Sequence, residues 1–215
     1  MKHHLTDGNK NRIRENVIKG AKNYNAFLNK KVFKIFCSDG TTVCVRFFSD
    51  DFKHLTGLES DLSESNFFKM CLEEKINNGN ILSEQKYDWS TLKNKMTRIS
   101  NLQDLLYSKS DKILLLKNLN THTKVFPTAI SNDSINTCVA FVGSINKARS
   151  LRKAGTSKDA DDEKEIIMII AKKETLNVYD ELVYLKDAKK LEVCPKSIFM
   201  DIDNKIKKTL NIKGD

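Results

Sequence analysis

The sequence predicts an α+β fold in which helices lie on one face of an antiparallel sheet. Helical patterns dominate the chain up to about residue 107, and several alternating segments follow with no helix between them. Helices followed by strands, without βαβ alternation, are typical of helices segregated to one side of an antiparallel sheet. Hydrophobic residues make up 40% of the 215 residues, which is enough to bury a core and too many for a disordered chain.

The first elements are an amphipathic helix and a hairpin. Apolar residues recur at three- and four-residue steps over residues 11–28, which predicts a helix with one buried stripe. Two alternating segments, residues 32–36 and 42–47, flank the dipeptide Asp39-Gly40. An Asp-Gly between two such segments strongly favours a β-hairpin.

The same two periodicities predict the later elements. Helical spacing predicts a helix that begins at Ser63 and ends near Gly79, and another over residues 90–107 with Ile99 in its apolar stripe. Alternation predicts strands at residues 112–119, 124–130, 136–142 and 178–185. Residues 166–171 fit either a buried strand or a helix, and residues 50–62 and 147–162 are predicted to be loops. A four-residue spacing predicts a terminal helix with Ile198, Ile202, Ile206 and Leu210.

We expect one domain over residues 1–215, because two prolines and eight glycines provide no Pro/Gly-rich linker. Its parts are an N-terminal helix (1–30), a helix-plus-sheet core (31–185) and a C-terminal appendage (186–215) that is predicted to be helical. No apolar run approaches the roughly 20 residues that span a bilayer, and the first residues lack a signal-peptide pattern. These features predict a cytoplasmic protein without a membrane partner.

Motifs that hold metals or nucleotides are missing. The five cysteines show no CxxC pair and there are only four histidines, so a zinc framework is not expected and the thiols should be reduced core residues. The sequence has no Walker loop, Rossmann glycine fingerprint or GxSxG elbow. We therefore expect no metal and no cofactor.

The charge distribution favours a polyanionic partner. The formal net charge is +9, and the excess is concentrated in residues 134–158, which contain several basic residues and no acidic one. A positive field of this kind attracts phosphate polymers. A lysine-rich composition could alone explain the total charge, but it does not explain a window without acidic residues.

His54 is the most informative candidate for chemistry. It follows the hairpin in the sequence Phe52-Lys53-His54-Leu55-Thr56-Gly57. Histidine accepts and donates protons near pH 7. Lys53 would lower the pKa of His54 and attract phosphate, and Thr56 could hydrogen-bond to the imidazole or to a phosphate oxygen. The alternative is a buried histidine that caps a turn, and residue chemistry alone favours this alternative slightly.

Four motifs together resemble a nuclease family. They are Phe-Lys-His-Leu-Thr-Gly-Leu at residues 52–58, Ser-x-x-x-Phe-Phe at 63–68, Thr-Leu-Lys-Asn-Lys-Met at 91–96 and Cys-Val-Ala-Phe-Val-Gly at 138–143. In this order they resemble the phage-associated branch (fourth group) of the barnase–EndoU–colicin–RelE superfamily of nucleases. The likeness covers residues 33–151, with weaker matches in residues 166–184.

The resemblance implies a curved antiparallel sheet packed against N-terminal helices, and RNA cleavage without a metal by attack of the ribose 2′-OH. It further implies catalytic roles for four residues: His54, Thr56, Lys95 and Ser150. Ser150 lies in Ala-Arg-Ser-Leu at residues 148–151, where the family has a Pro-x-Ser-Leu-like element, so the proline is absent here. The basic side chains expected to bind substrate phosphates are those of Lys53, Arg149, Arg152 and Lys153.

Two further observations leave alternatives open. His122 could complete an acid–base pair, but it lies in a predicted turn where polar residues are common. Tyr87 and Trp89 precede a helix, which favours a hydrophobic staple over a platform for base stacking.

Three functions fit these observations. The first is an endoribonuclease, acting as a toxin or a phage–host conflict effector and neutralised by an antitoxin or immunity protein. The second is a catalytically inactive module that binds RNA or protein on the same basic face. The third is a DNA-binding regulator, which ranks last because no helix-turn-helix or zinc finger is recognisable.

Overall fold

The computed structural model describes residues 2–109, 112–121, 124–194 and 196–211. The helices are α1 Asp7–Phe27, α2 Asp51–Thr56, α3 Glu64–Leu72, α4 Trp89–Ile99, α5 Asp104–Tyr107 and α6 Asn204–Thr209. The strands are β1 His3–His4, β2 Lys31–Cys37, β3 Thr42–Phe47, β4 Glu84–Gln85, β5 Ile113–Asn120, β6 Val125–Asn132, β7 Thr137–Val142, β8 Lys147–Arg152, β9 Asp162–Lys173 and β10 Glu181–Leu185. None of the helices in these ranges combines the length and apolar character needed to cross a membrane.

Within the described residues, seven strands close into a β-barrel in the order β9-β2-β3-β8-β7-β6-β5, and β5 returns to β9. Neighbouring strands are antiparallel except β3 and β8, which are parallel and pair through Arg46 and Lys147. The long strand β9 closes the barrel. Its first residues pair with β5, and the rest pair with β2 on the opposite edge.

The expected fold class, helices packed on one face of a curved antiparallel sheet, is therefore wrong. The part of the chain that the structure describes forms a closed seven-stranded barrel with few helices. The error comes mainly from residues 147–162, predicted to be a loop, which contain β8 and the start of β9. In β8 only Ala148 and Leu151 are buried, and a bulge at Arg149 breaks the alternation that would mark a strand.

One buried cluster takes side chains from all seven barrel strands and from α1, α3 and α4. The predicted stripe of α1 belongs to it, because Ile13, Val17, Ala21 and Tyr24 are fully buried. Where α1 crosses α4, Gly20 lies so close that an added Cβ would be 2.8 Å from the carbonyl oxygen of Ile99. A glycine is needed there for the two helices to pack.

The opposite face of the sheet carries two smaller clusters. One joins Phe36, Met168 and Ile170 to the C-terminal segment through a set of buried residues that includes Tyr179, Leu191, Ile202, Ile206 and Leu210. The other lies on β5, β6 and β7. Residues 166–171 are therefore buried on both faces of the sheet, which explains their continuous apolar run. Of the two structures that the sequence allowed for this segment, a strand or a helix, the strand is the one that forms.

Several local predictions are confirmed and others are wrong. Ser63 caps α3 as predicted, and its hydroxyl accepts the Asn66 N–H at 3.4 Å. The helix predicted over residues 90–107 is instead two helices, α4 and α5. The terminal helix α6 is only six residues long, and Ile202 forms a β-bridge with Tyr179 instead of a helical turn. The side chain of Ile198 lies outside the described residues.

Candidate functional site

The motif histidine lies on a short helix, which corrects the prediction of an irregular segment over residues 50–62. Helix α2 runs from Asp51 to Thr56, and Gly57 ends it in the left-handed conformation with φ of 70°. Phe52 and Leu55 are fully buried and fix the helix to the core. Six residues are too few to show helical periodicity in a sequence, but a glycine after the last residue is a typical helix stop signal.

A buried carboxylate connects α2 to β8. Asp51 is fully buried and accepts the backbone N–H of Phe48 at 2.9 Å. Its other oxygen lies 3.2 Å from the ammonium nitrogen of Lys147. Burial raises the pKa of Asp51, while the Phe48 N–H and Lys147 oppose the increase. This ion pair ties the first turn of α2 to the strand that carries Arg149 and Ser150.

His54 lies half-buried on α2, with 32% of its side chain exposed and Nε2 3.9 Å from the Glu64 carboxylate. Burial lowers its pKa below the usual 6.5, and the charge of Arg149 lowers it further against the opposing effect of Glu64. Lys53 contributes as the sequence argument supposed, but less than Arg149. A lowered pKa keeps the imidazole neutral at pH 7, which is the form that accepts a proton.

The neighbours of His54 in the motif hold the backbone. The hydroxyl of Thr56 is buried, donates to the Lys53 carbonyl at 2.6 Å and accepts the Leu58 N–H at 3.2 Å. The ammonium of Lys53 donates to the carbonyls of Ser60 and Leu62. In this arrangement Thr56 and Lys53 organise the turn after α2.

Four of the other candidates, Lys95, Ser150, Arg152 and Lys153, line a cleft of about 530 Å³ between α4 and β8, whereas Arg149 is not among the lining residues. Its lining contains five basic side chains and no carboxylate. The lining residues are Lys86, Tyr87, Thr91, Asn94, Lys95, Arg98, Ser150, Leu151, Arg152 and Lys153. A concave surface of one charge concentrates its field and attracts anions.

Lys95 is the cleft residue with the most perturbed ionisable side chain. Its ammonium donates to the Leu151 carbonyl at 2.7 Å and lies 5.6 Å from the centre of the Tyr87 ring. Burial lowers the pKa of Lys95 to about 8, and the charges of Arg152 and Arg98 contribute. Near neutral pH, an amine with this pKa can give up a proton far more easily than an ordinary lysine.

Gly57 connects the histidine motif to this lysine. A Cβ on Gly57 would lie 3.1 Å from Cε2 of Tyr87 and 3.2 Å from both Cδ and Cε of Lys95. The lysine side chain therefore passes directly over the backbone at the end of α2. His54 lies three positions earlier, on the helix that Gly57 ends, so this helix contacts the cleft through Gly57 and Lys95. His54 itself is not among the lining residues.

Strand β8 supplies the serine and the arginines. Arg152 Nε donates to the Ser150 hydroxyl at 3.2 Å, and its guanidinium lies 5.7 Å from the centre of the Phe126 ring. Ser150 pairs with Ala140 and Ala148 with Phe141, so Arg149 is the extra residue of a bulge. Bulges redirect side chains, and the charge of Arg149 acts on His54. Lys153, the residue that follows β8, is exposed in the cleft.

The comparison with protein families agrees with the motifs. The sequence model of one family, described as phage-Barnase-EndoU-ColicinE5/D-RelE like nuclease4, matches residues 16–188. The chain belongs to this family. The resemblance inferred from the four motifs is thus confirmed, and the matched region of this nuclease family contains every candidate residue named above. No curated protein and no solved structure matches the chain.

Sequence reasoning missed part of the site. Tyr87 is partly buried against the main core, as a staple would be, but it also lines the cleft beside Lys95. Arg98 was also missed, although the sequence carries its signal. Thr91, Asn94, Lys95 and Arg98 recur at helical spacing and form the polar face of α4 toward the cleft. His122 lies outside the described residues.

The residues available to hold a metal are few. Among the described residues, no three His, Cys, Asp or Glu side chains come together as a metal site requires. The cleft lining offers cations where a magnesium site would offer carboxylate oxygens. The cationic groups in the lining are the side chains of three lysines and two arginines.

Proposed function

We propose that this chain is an endoribonuclease that cleaves RNA by 2′-OH transesterification without a metal ion. The observation that carries the proposal is Lys95, whose pKa is lowered to about 8 and which lies in a cleft lined by basic residues. A chain of the nuclease family with such a cleft has the two things that phosphoryl transfer needs, a proton donor and cations at the phosphate.

In the proposed reaction, neutral His54 removes the proton from the ribose 2′-OH, and the oxygen attacks the adjacent phosphorus. The bond between phosphorus and the 5′-oxygen breaks as the O2′–P bond forms, and Lys95 gives its proton to the departing 5′-oxygen. Arg152 and Lys153 stabilise the negative charge that develops on the phosphoryl oxygens. The products are a 2′,3′-cyclic phosphate and a 5′-hydroxyl.

We assign supporting roles to the remaining candidates. The Ser150 hydroxyl, which accepts from Arg152, orients this guanidinium toward the phosphate. Burial lowers the pKa of His54, and the charge of Arg149 adds to this effect and so favours the neutral imidazole. Thr56 and Lys53 hold the turn that presents Gly57 to Lys95. The phage association of the family favours a toxin or conflict effector, neutralised by an antitoxin or immunity protein.

The test is cleavage of purified total RNA in EDTA, followed by analysis of fragment ends. We expect fragments that end in 2′,3′-cyclic phosphate, and a DNA strand of the same sequence should stay intact because it lacks the 2′-OH. The variant Lys95→Met, of similar length without the amine, serves as the matched control and should be inactive. A requirement for added magnesium, or cleavage of DNA, contradicts the proposed chemistry.

A second candidate function is a catalytically inactive module that binds RNA or protein through the same cleft. The sequence at residues 148–151 favours it, since Ala148 stands where the family's Pro-x-Ser-Leu-like element has proline and is paired within β8. RNA binding at low salt without fragments of any kind, in wild type and Lys95→Met alike, supports this second function.

A further inference from the structure

A second groove adjoins the cleft and shares one residue with it. Its volume is about 700 Å³, and it is lined by Asn120, Thr121, Arg152, Lys158, Asp159, Ala160 and Asp161. Arg152 lines both the cleft and this groove. Arg152 is the last residue of β8 and lies between the two spaces. A ligand whose charged group binds this guanidinium can therefore extend into either the cleft or the groove.

The two spaces differ in chemistry. The cleft is lined by five basic residues and no carboxylate, whereas the groove has the carboxylates of Asp159 and Asp161 beside Arg152 and Lys158. Both aspartates are exposed. The side-chain amide of Asn120 donates to Asp161 at 3.3 Å, which places a mixed set of donors and acceptors along one wall.

A carboxylate next to a phosphate-binding arginine is unfavourable for a second phosphate, because like charges repel. It is favourable for a nucleobase, since carboxylates accept hydrogen bonds from exocyclic amino groups. Single-stranded RNA offers unpaired base edges for this kind of contact. The groove volume also leaves room for a whole nucleotide beside the shared arginine.

We propose that the groove of Asn120, Asp159 and Asp161 is a base-recognition subsite for single-stranded RNA. The phosphate of the bound nucleotide contacts Arg152, and its base enters the groove and donates an amino group to the two carboxylates. This inference rests on the proposed ribonuclease function and adds a base preference to it. Cytosine, which carries an amino group, is favoured over uracil, which has a carbonyl oxygen at the same position.

The test compares binding of two heptamers, one of cytidines and one of uridines, both 2′-O-methylated so that no cleavage can occur. Fluorescence anisotropy gives the dissociation constants for three proteins: wild type, Asp159→Ala/Asp161→Ala and Asp180→Ala. The last is a matched control, because it removes an exposed carboxylate that lies outside the groove lining. Loss of acidic charge should strengthen RNA binding in both variants for electrostatic reasons alone.

Wild type should bind the cytidine heptamer about tenfold more tightly than the uridine heptamer, a ratio in the range of one base-specific contact. In Asp159→Ala/Asp161→Ala the ratio should fall to within about twofold, and in Asp180→Ala it should not change. Equal binding of the two heptamers by wild type, or an unchanged ratio in the double variant, overturns the subsite and leaves the ribonuclease proposal standing. Failure to bind either heptamer at low salt overturns RNA as the substrate, and the subsite with it.

Discussion

The substitution Gly57→Ala tests whether the end of α2 positions Lys95. Gly57 has φ of 70°, a conformation that costs a residue with a Cβ about 1–2 kcal/mol. The new methyl group would also lie 3.1 Å from the Tyr87 ring and 3.2 Å from the Lys95 side chain. These contacts are too close for carbon atoms, so the lysine must move by a few tenths of an ångström.

Gly143→Ala is the matched control, because Gly143 has φ of 75° and no atom lies within 4 Å of an added Cβ. Both variants pay the same backbone cost, which corresponds to a decrease in melting temperature of roughly 2–8 °C for a chain of this size. We expect only Gly57→Ala to shift Lys95 away from the Leu151 carbonyl, because only there does the added Cβ contact the lysine side chain. Because small displacements of reacting groups are costly, we expect RNA cleavage to fall on the order of tenfold in this variant alone.

The assay measures thermal unfolding and the initial rate of RNA cleavage on the same preparations, at a temperature where both variants are folded. If the two variants lose equal stability and keep equal activity, Gly57 is only a helix stop signal and the link between α2 and Lys95 is wrong. If Gly57→Ala loses activity only in proportion to its unfolded fraction, the same conclusion follows.

Three other outcomes are expected. Lys95→Met should abolish cleavage and raise the melting temperature at pH 7. The pKa of Lys95 is about 8 in the folded protein and 10.5 in the unfolded chain, so the charged side chain destabilises the fold at pH 7, and this destabilisation disappears as the pH rises from 8 to above 10.5. An unchanged or lower melting temperature of the variant would contradict a buried, charged Lys95. His54→Ala should keep its RNA affinity and lower the cleavage rate by about 100-fold or more. The wild-type cleavage rate should decline at pH values below the lowered pKa of His54, where the imidazole is protonated, and above about pH 8, where Lys95 loses its proton. A cleavage rate that does not change with pH refutes these roles. Arg149→Glu/Arg152→Glu should weaken RNA binding at low salt by an amount that shrinks as salt rises, and unchanged low-salt affinity removes these arginines from the binding face.

The packing of α4 gives a test of the fold itself. Ile99 is fully buried where α1 crosses α4, as its place in the predicted stripe required. Ile99→Asp would bury an unpaired charge and should lower the free energy of unfolding by roughly 3 kcal/mol or more. A urea or thermal unfolding curve close to that of wild type shows that α4 does not pack on α1.

Elements that depend on neighbours in the sequence were predictable. The stripe of α1 was visible as a 3.6-residue period, and the turn between β2 and β3 was visible in Asp39-Gly40, where Gly40 has φ of 83°. The family motifs identified His54 and Lys95 as candidates. The three-residue spacing of Lys95 and Arg98 indicated that both lie on one polar face of α4. In each case the signal lies within a few residues, because one turn or one strand sets the pattern.

Only the tertiary structure decided the barrel and the composition of the site. Closure depends on hydrogen bonds between β9 and β5, about 50 residues apart in sequence, and on the parallel pair of β3 and β8. Such pairings leave no local periodicity, and the bulge at Arg149 removed the alternation that β8 would have shown. The same closure brings β8 beside α4, so that Lys95 meets Ser150 and Arg152 across the cleft. The sequence by itself could name these residues, but their proximity arises from contacts between segments that are distant along the chain.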